Sequence, residues 1–131
     1  MARPTSDQPT ELELKILHVL WKQHPLPVRE IRDALAAAGR DLAHTSVITT
    51  LNIMVRKKYL KRNKQGNAFL FSPRETREDV SQRMLGDMVN RVFDGSTSLL
   101  MLSLFDRKDL QVDELMELRR LINRRVKEQS E

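Results

Sequence analysis

The chain has 131 residues, 40% of them hydrophobic and 31% charged, with a formal net charge of +5 and no cysteine. That length supports one modest core plus an accessory element, and the missing cysteines exclude disulfides, thiolate metal sites and a Cys nucleophile. The opening segment Met-Ala-Arg-Pro-Thr-Ser-Asp has no apolar h-region, and no run approaches the ~18 apolar residues of a membrane helix, so a cytoplasmic protein with no membrane insertion is expected.

Residues 1–9 are polar, contain two prolines and are expected to form a flexible tail. Thr10-Glu11-Leu12-Glu13 has the spacing of a capping box, in which the Thr hydroxyl and the Glu carboxylate satisfy free amides reciprocally. Leu12, Ile16, Leu17, Val19, Leu20 and Trp21 follow at helical spacing, which predicts a first helix to about Gln23 with Trp21 as a core anchor. His24-Pro25-Leu26-Pro27 breaks it. Each proline pushes its predecessor toward extended geometry, so Leu26 suits a short strand. Pro27 suits the first turn of a second helix, where a missing N–H costs nothing. Val28, Ile31, Ala34 and Leu35 form its buried stripe, and Gly39 closes it.

Asp41 to His44 reads as a turn. A third helix is predicted from Thr45 to Lys57, with Val47, Ile48, Leu51, Met54 and Val55 apolar. Its β-branched content also suits a strand, but the period near 3.6 decides for helix. The other face carries Thr45, Ser46, Thr49, Asn52, Ile53 and Arg56. Residues 59–63 and 68–72 read as two strands joined by Lys64-Gln65-Gly66-Asn67, with Gly66 free to take positive φ. Pro73 ends the second strand. Three helices followed by a β-hairpin is the order of a winged helix-turn-helix.

Beyond Arg74 a long helix is predicted to Phe93, then a stop at Asp94-Gly95-Ser96. A short apolar helix over Ser98–Phe105 and a last helix from Val112 to about Lys127 follow. Gln129 to Glu131 is expected to fray. Three helices of this size cannot close a dry core alone. Burial of their stripes at ~25 cal/mol per Å2 favours association. A homodimer is expected, with Met88, Val92, Leu99, Leu100, Leu102, Leu115, Leu118 and Ile122 at its interface; the alternative is a monomer in which these helices fold back on residues 10–73. The fold expectation is therefore mainly α with a small β-hairpin wing. A winged-helix DNA-binding domain over 10–73 precedes a helical dimerisation region over 74–131.

The charge is unevenly distributed. Residues 1–73 hold 12 Lys/Arg against 6 Asp/Glu, while residues 74–131 hold 11 against 12. From Leu42 to Arg74 there is no Asp or Glu, yet Arg56, Lys57, Lys58, Lys61, Arg62, Lys64 and Arg74 all fall there. Such a stripe attracts a polyanion, and for a small protein of this type that means nucleic acid. A helix entering the major groove needs short leading side chains with hydroxyls and amides that reach base edges. Thr45, Ser46, Thr49 and Asn52 supply these at i, i+1, i+4 and i+7. Phosphate contacts fall to Arg29 and His44, to Arg56, Lys57, Lys61, Arg62 and Lys64, and to Asn67 at the wing tip. Taken singly, a Thr on a helix or a Lys in a run is often only solvated surface. Fold order, acid gap and short polar face agree, and that agreement favours a double-stranded DNA operator as partner. The alternative is a winged-helix module whose basic face serves an acidic protein without specific DNA binding. His18, His24 and His44 lack ligand-like spacing, and there is no phosphate loop, nucleophile elbow or zinc motif. No enzyme activity, metal or cofactor is expected.

Residues 10–21, Pro27–Leu35 and Leu42–Asn52 resemble the penicillinase-repressor family of winged-helix regulators. Tyr59-Leu-Lys-Arg62 and Phe69-Leu-Phe-Ser-Pro73 resemble its wing strands. Ser98-Leu-Leu-Met-Leu102 and Asp113–Ile122 resemble its dimerisation region. The resemblance implies a dimeric repressor on a palindromic operator, relieved by a membrane-bound sensor-protease that cleaves the C-terminal part. By motif, Thr45, Ser46, Thr49 and Asn52 face bases. Three positions depart from the family pattern. Ile53 stands where Arg is frequent, Lys58 stands where Gly is usual, and Ser103-Leu104 stands where the cleaved Asn-Phe bond is found.

Overall fold

A computed structural model describes residues 8–131; the rest of the expected tail lies outside the described residues, and Pro9 within it is buried. The described elements are α1 (Glu11–Lys22), β1 (Leu26–Pro27), α2 (Val28–Ala37), α3 (His44–Arg56), β2 (Leu60–Gln65), β3 (Ala68–Pro73), α4 (Arg77–Val92), α5 (Thr97–Phe105) and α6 (Val112–Ser130). The chain divides into two compact units, one ending at Leu85 and one beginning at Gly86.

The first unit is a winged helix. Its capping box is complete: Thr10 Oγ1 accepts from Glu13 N at 3.2 Å, and Thr10 N donates to Glu13 Oε1 at 2.8 Å. Ile16, Leu17 and Leu20 from α1, Ile31 and Leu35 from α2, and Val47, Leu51 and Met54 from α3 join Leu26, Tyr59, Leu60 and Phe71 in one core. The sheet is antiparallel in the order β1-β3-β2, with Leu26 opposite Phe71 and Leu60 opposite Pro73. The short strand expected at Leu26 is present as Leu26–Pro27, so Pro27 lies just before the helix it was expected to begin, and the strand pairs with the far strand of the hairpin.

Helices α2 and α3 end in the same way. Arg40 N donates to Leu35 O at 2.8 Å and Gly39 N to Ala36 O at 3.0 Å, with Gly39 at φ +91°. Tyr59 N donates to Met54 O at 2.9 Å and Lys58 N to Val55 O at 3.0 Å, with Lys58 at φ +69°. Both are Schellman caps, which need a left-handed residue just past the helix. In the second, Lys58 takes the conformation that glycine adopts freely. Tyr59, expected in the first wing strand, is the residue after that cap. It is buried beside Met54 in the core and starts the wing one residue later. The hairpin loop tightens to Gly66-Asn67, with Gly66 at φ +62°, the pattern of a type II′ turn.

Helix α4 starts three residues later than expected. Arg74 N donates to Tyr59 O at 3.0 Å and Trp21 Nε1 donates to Glu75 O at 2.9 Å, so residues 74–76 complete the first unit before Thr76 caps α4 through Asp79 N at 3.0 Å. Glu75 also pairs with Arg83, and Val80 is buried. The compact division therefore falls inside α4, later than the boundary at residue 73 that the change in composition suggests.

In the second unit, Ser96 caps α5, accepting from Leu99 N at 3.1 Å. Arg107 grips Asp109 through two bonds of 3.0 and 2.8 Å and holds its carboxyl below the ordinary carboxylate range. Helix α6 continues to Ser130, whose hydroxyl donates to Val126 O at 2.8 Å, so the expected frayed end is helical. No residue of α6 is buried, and Leu100 is the buried residue of α5.

Candidate nucleic-acid interface

Helix α3 buries Val47, Leu51 and Met54 at i, i+4 and i+7, which turns Thr45, Ser46 and Thr49 outward. Asn52 lies half-buried on the same side, one turn further on. The Thr49 hydroxyl donates to Thr45 O at 2.8 Å, and Thr50 does the same to Ser46 O at 2.9 Å. Thr49 therefore offers an acceptor oxygen and a methyl group outward, its proton being engaged within the helix. His44, expected just before the helix, is its first residue and is exposed. Ile53 is half-buried.

The wing separates cations that the sequence runs together. Along β2, alternate side chains take opposite faces. Leu60, Arg62 and Lys64 share one face with Phe71 and Phe69 across the ladder, and Lys61, Asn63 and Gln65 take the other. Leu60 and Phe71 belong to the core, so Arg62 and Lys64 prolong the core-facing side past its edge. There, Arg62 Nη1 donates to Asn52 Oδ1 at 2.7 Å while its guanidinium lies 4.8 Å from the Phe69 ring centre. Lys61, Lys64 and Asn67 are exposed, Asn67 at the tip of the hairpin.

Lys57 departs from its expected role. Its ammonium pairs with Glu13 Oε2 at 3.1 Å and Oε1 at 3.3 Å, and it lies 5.9 Å from the Tyr59 ring centre. Glu13 is buried within the first unit. A buried carboxylate needs a counter-charge, and Lys57 supplies it with its side chain 29% exposed. Arg56 and Lys58 on either side remain exposed, as does Arg29 on α2. Arg32 Nε donates to Leu42 O at 2.9 Å and ties α2 to the segment that launches α3.

Of the expected dimer residues, Met88, Val92, Leu99, Leu102, Leu115, Leu118 and Ile122 are exposed, with Val92 at 65% and Leu102 at 61%. Leu100 differs from them in being buried, at 9% exposure. Ser103 and Leu104 are exposed but lie within α5, where the Ser103 hydroxyl donates to Leu99 O at 2.9 Å.

Three contacts in and around this site escaped sequence reasoning. Glu13 read as half of a capping box, and its second task shows only when folding brings Lys57 beside it. Arg32 carried no role in the sequence reading, and its bond to Leu42 O depends on how the two segments fold. Phe69 read as a wing-strand residue, although the hairpin register Lys64–Phe69 was the available signal that it neighbours Arg62 diagonally. Among the described residues no group of three His, Asp or Glu is arranged to hold a metal, and no helix is long and apolar enough to cross a membrane.

A three-helix core, a recognition-type helix with a short polar face, and a basic hairpin beside it define a winged helix-turn-helix protein of the DNA-binding type. The chain belongs to the penicillinase repressor family, whose sequence model matches residues 9–124. It is 28% identical over 114 residues to the transcriptional regulator BlaI of Mycobacterium tuberculosis, covering 86% of this chain and 80% of that protein. It is 23% identical over 115 residues to the penicillinase repressor of Bacillus licheniformis, covering 88% of this chain and 89% of that one. Against the methicillin resistance regulatory protein MecI of Mammaliicoccus sciuri the identity is 21% over 113 residues, with 86% and 91% covered.

Proposed function

We propose that this protein is a transcriptional repressor that binds a palindromic double-stranded DNA operator as a homodimer. The observation that carries the reading is the outer face of α3. Thr45, Ser46 and Thr49 are short, uncharged and exposed, and no carboxylate occurs between Leu42 and Arg74 to repel phosphate. Arg29, His44, Arg56, Lys58, Lys61 and Lys64 are exposed around that face, where they supply sequence-independent affinity. The helix face supplies sequence preference.

The dimer is supported by the second unit. Helix α6 is 19 residues long and none of them is buried, whereas helices in proteins gain most of their stability from packing an apolar face. Leu115, Leu118 and Ile122 recur at the three- and four-residue steps of a heptad seam. Two α3 helices related by two-fold symmetry then meet half-sites whose centres lie about one helical turn, ~10 bp, or a multiple of it apart.

Footprinting on the DNA upstream of the gene, at physiological salt and with excess competitor duplex, tests the reading. Two protected half-sites with that spacing are expected. Protection that disappears under competitor leaves a winged-helix module for an acidic protein partner instead. Release by a sensor-protease would act at Ser103–Leu104. Because this bond is helical, cleavage would require α5 to unwind locally.

A further inference from the structure

Asn52 and Arg62 sit on different elements and invite separate roles, one on a base and one on a phosphate. In the structure they form one unit. The Arg62 guanidinium donates to Asn52 Oδ1 at 2.7 Å and rests on the Phe69 ring at 4.8 Å. Arg62 itself is held opposite Phe71 in the β2–β3 ladder. The charged donor makes this a strong hydrogen bond, and the aromatic platform adds a cation–π contact that fixes the guanidinium plane. The reversed amide would set two donors against each other, so the bond also decides which end of the Asn52 amide faces out.

That choice has a chemical consequence. A bidentate contact to adenine needs the amide oxygen to accept from the adenine N6 amino group while the NH2 donates to N7. Here the oxygen lies against a guanidinium, whose protons and charge oppose an incoming amino group. The outward offer is donors only: the Asn52 NH2 and the remaining Arg62 N–H groups. Guanine alone presents two acceptors, N7 and O6, side by side in the major groove. Thymine offers one acceptor and a methyl group.

We propose that Arg62 is a specificity-determining positioning residue that turns Asn52 into a reader of guanine instead of adenine. This rests on the operator-binding reading above. The probe is a pool of random duplexes, selected in parallel by the wild-type protein and by variants at one salt concentration. The wild type is expected to enrich a guanine at one position of each half-site, and 7-deazaguanine there, which lacks N7, should weaken binding about tenfold.

R62M keeps an unbranched side chain over Phe69 without charge or donor, and should shift that single position toward adenine while the others hold. R62K, which retains a donor for Asn52 Oδ1, should keep guanine. F69L removes the platform and should blur the same position without changing the rest. If R62M selects the wild-type sequence and merely binds all duplexes more weakly, Arg62 is a phosphate cation and the inference fails alone. If the wild type enriches no sequence, the operator reading fails and takes this inference with it.

Discussion

Lys57 Nζ, just past the end of α3, lies 3.1 Å from Glu13 Oε2 in the first turn of α1, and Glu13 is 3% exposed. The pair ties the end of α3 to the first turn of α1, and the same carboxylate closes the Thr10 capping box. Removing the cation leaves a buried carboxylate short of a partner. Lys57→Met is therefore expected to cost about 2 kcal/mol of stability in urea unfolding. Its salt dependence of DNA binding should stay that of the wild type. A reduced salt slope in K57M would return Lys57 to the phosphate-binding set.

Lys58 pays a conformational cost at φ +69°. A left-handed non-glycine residue costs roughly 1–2 kcal/mol, part of which glycine recovers and part of which it loses to its freer unfolded chain. Lys58→Gly is expected to raise stability by about 0.5–1 kcal/mol, read as a higher urea midpoint at unchanged m-value. Any stability loss in K58G would mean that the lysine side chain has a role beyond the cap.

Lys61 and Lys64 lie on opposite faces of β2, so they report on how the wing meets DNA. Each phosphate contact contributes about 0.9 to the log–log salt slope of binding. Replacing by Met whichever of the two touches phosphate should lower the slope by that amount in each protomer and weaken all sequences alike. Titration of K61M and K64M across salt concentrations identifies the contacting face. Wild-type slopes for both would remove the wing from the interface.

The exposed seam of α6 predicts concentration-dependent stability, because dissociation and unfolding are then linked. Leu118→Glu with Ile122→Glu should yield a monomer in light scattering and lose high-affinity operator binding. Leu100→Ala should behave differently. As a residue covered by its own chain it should lower stability by about 2–5 kcal/mol without first producing a folded monomer. A dimer that survives L118E/I122E would exclude this seam.

Much of the first unit was legible because its signals are local. The Thr10 capping box, the Val47/Leu51/Met54 stripe and Gly66 in the hairpin each act within a few residues, and each appears where the sequence predicts it. The start of α4 was not legible. The helical pattern runs back to Arg74, but Trp21 takes the Glu75 carbonyl and Tyr59 takes the Arg74 amide, contacts across 54 and 15 positions. Local periodicity carries no record of such partners.

The candidate surface divides along the same line. By itself the sequence determined the short polar face of α3, the carboxylate-free stretch and the heptad-spaced stripe of α6, since composition and period fix which side of a helix is apolar and which sign of charge surrounds it. Only the tertiary structure decided which partner or face each of these cations takes. Folding brings the end of α3 near the first turn of α1 and turns Lys57 to Glu13. The pleat of β2 sends Lys61 one way and Arg62 the other. The approach of the wing to α3 joins Arg62 to Asn52. The physical reason is that a long cationic side chain reaches several partners, and which one it meets depends on carboxylates and carbonyls that folding alone brings near.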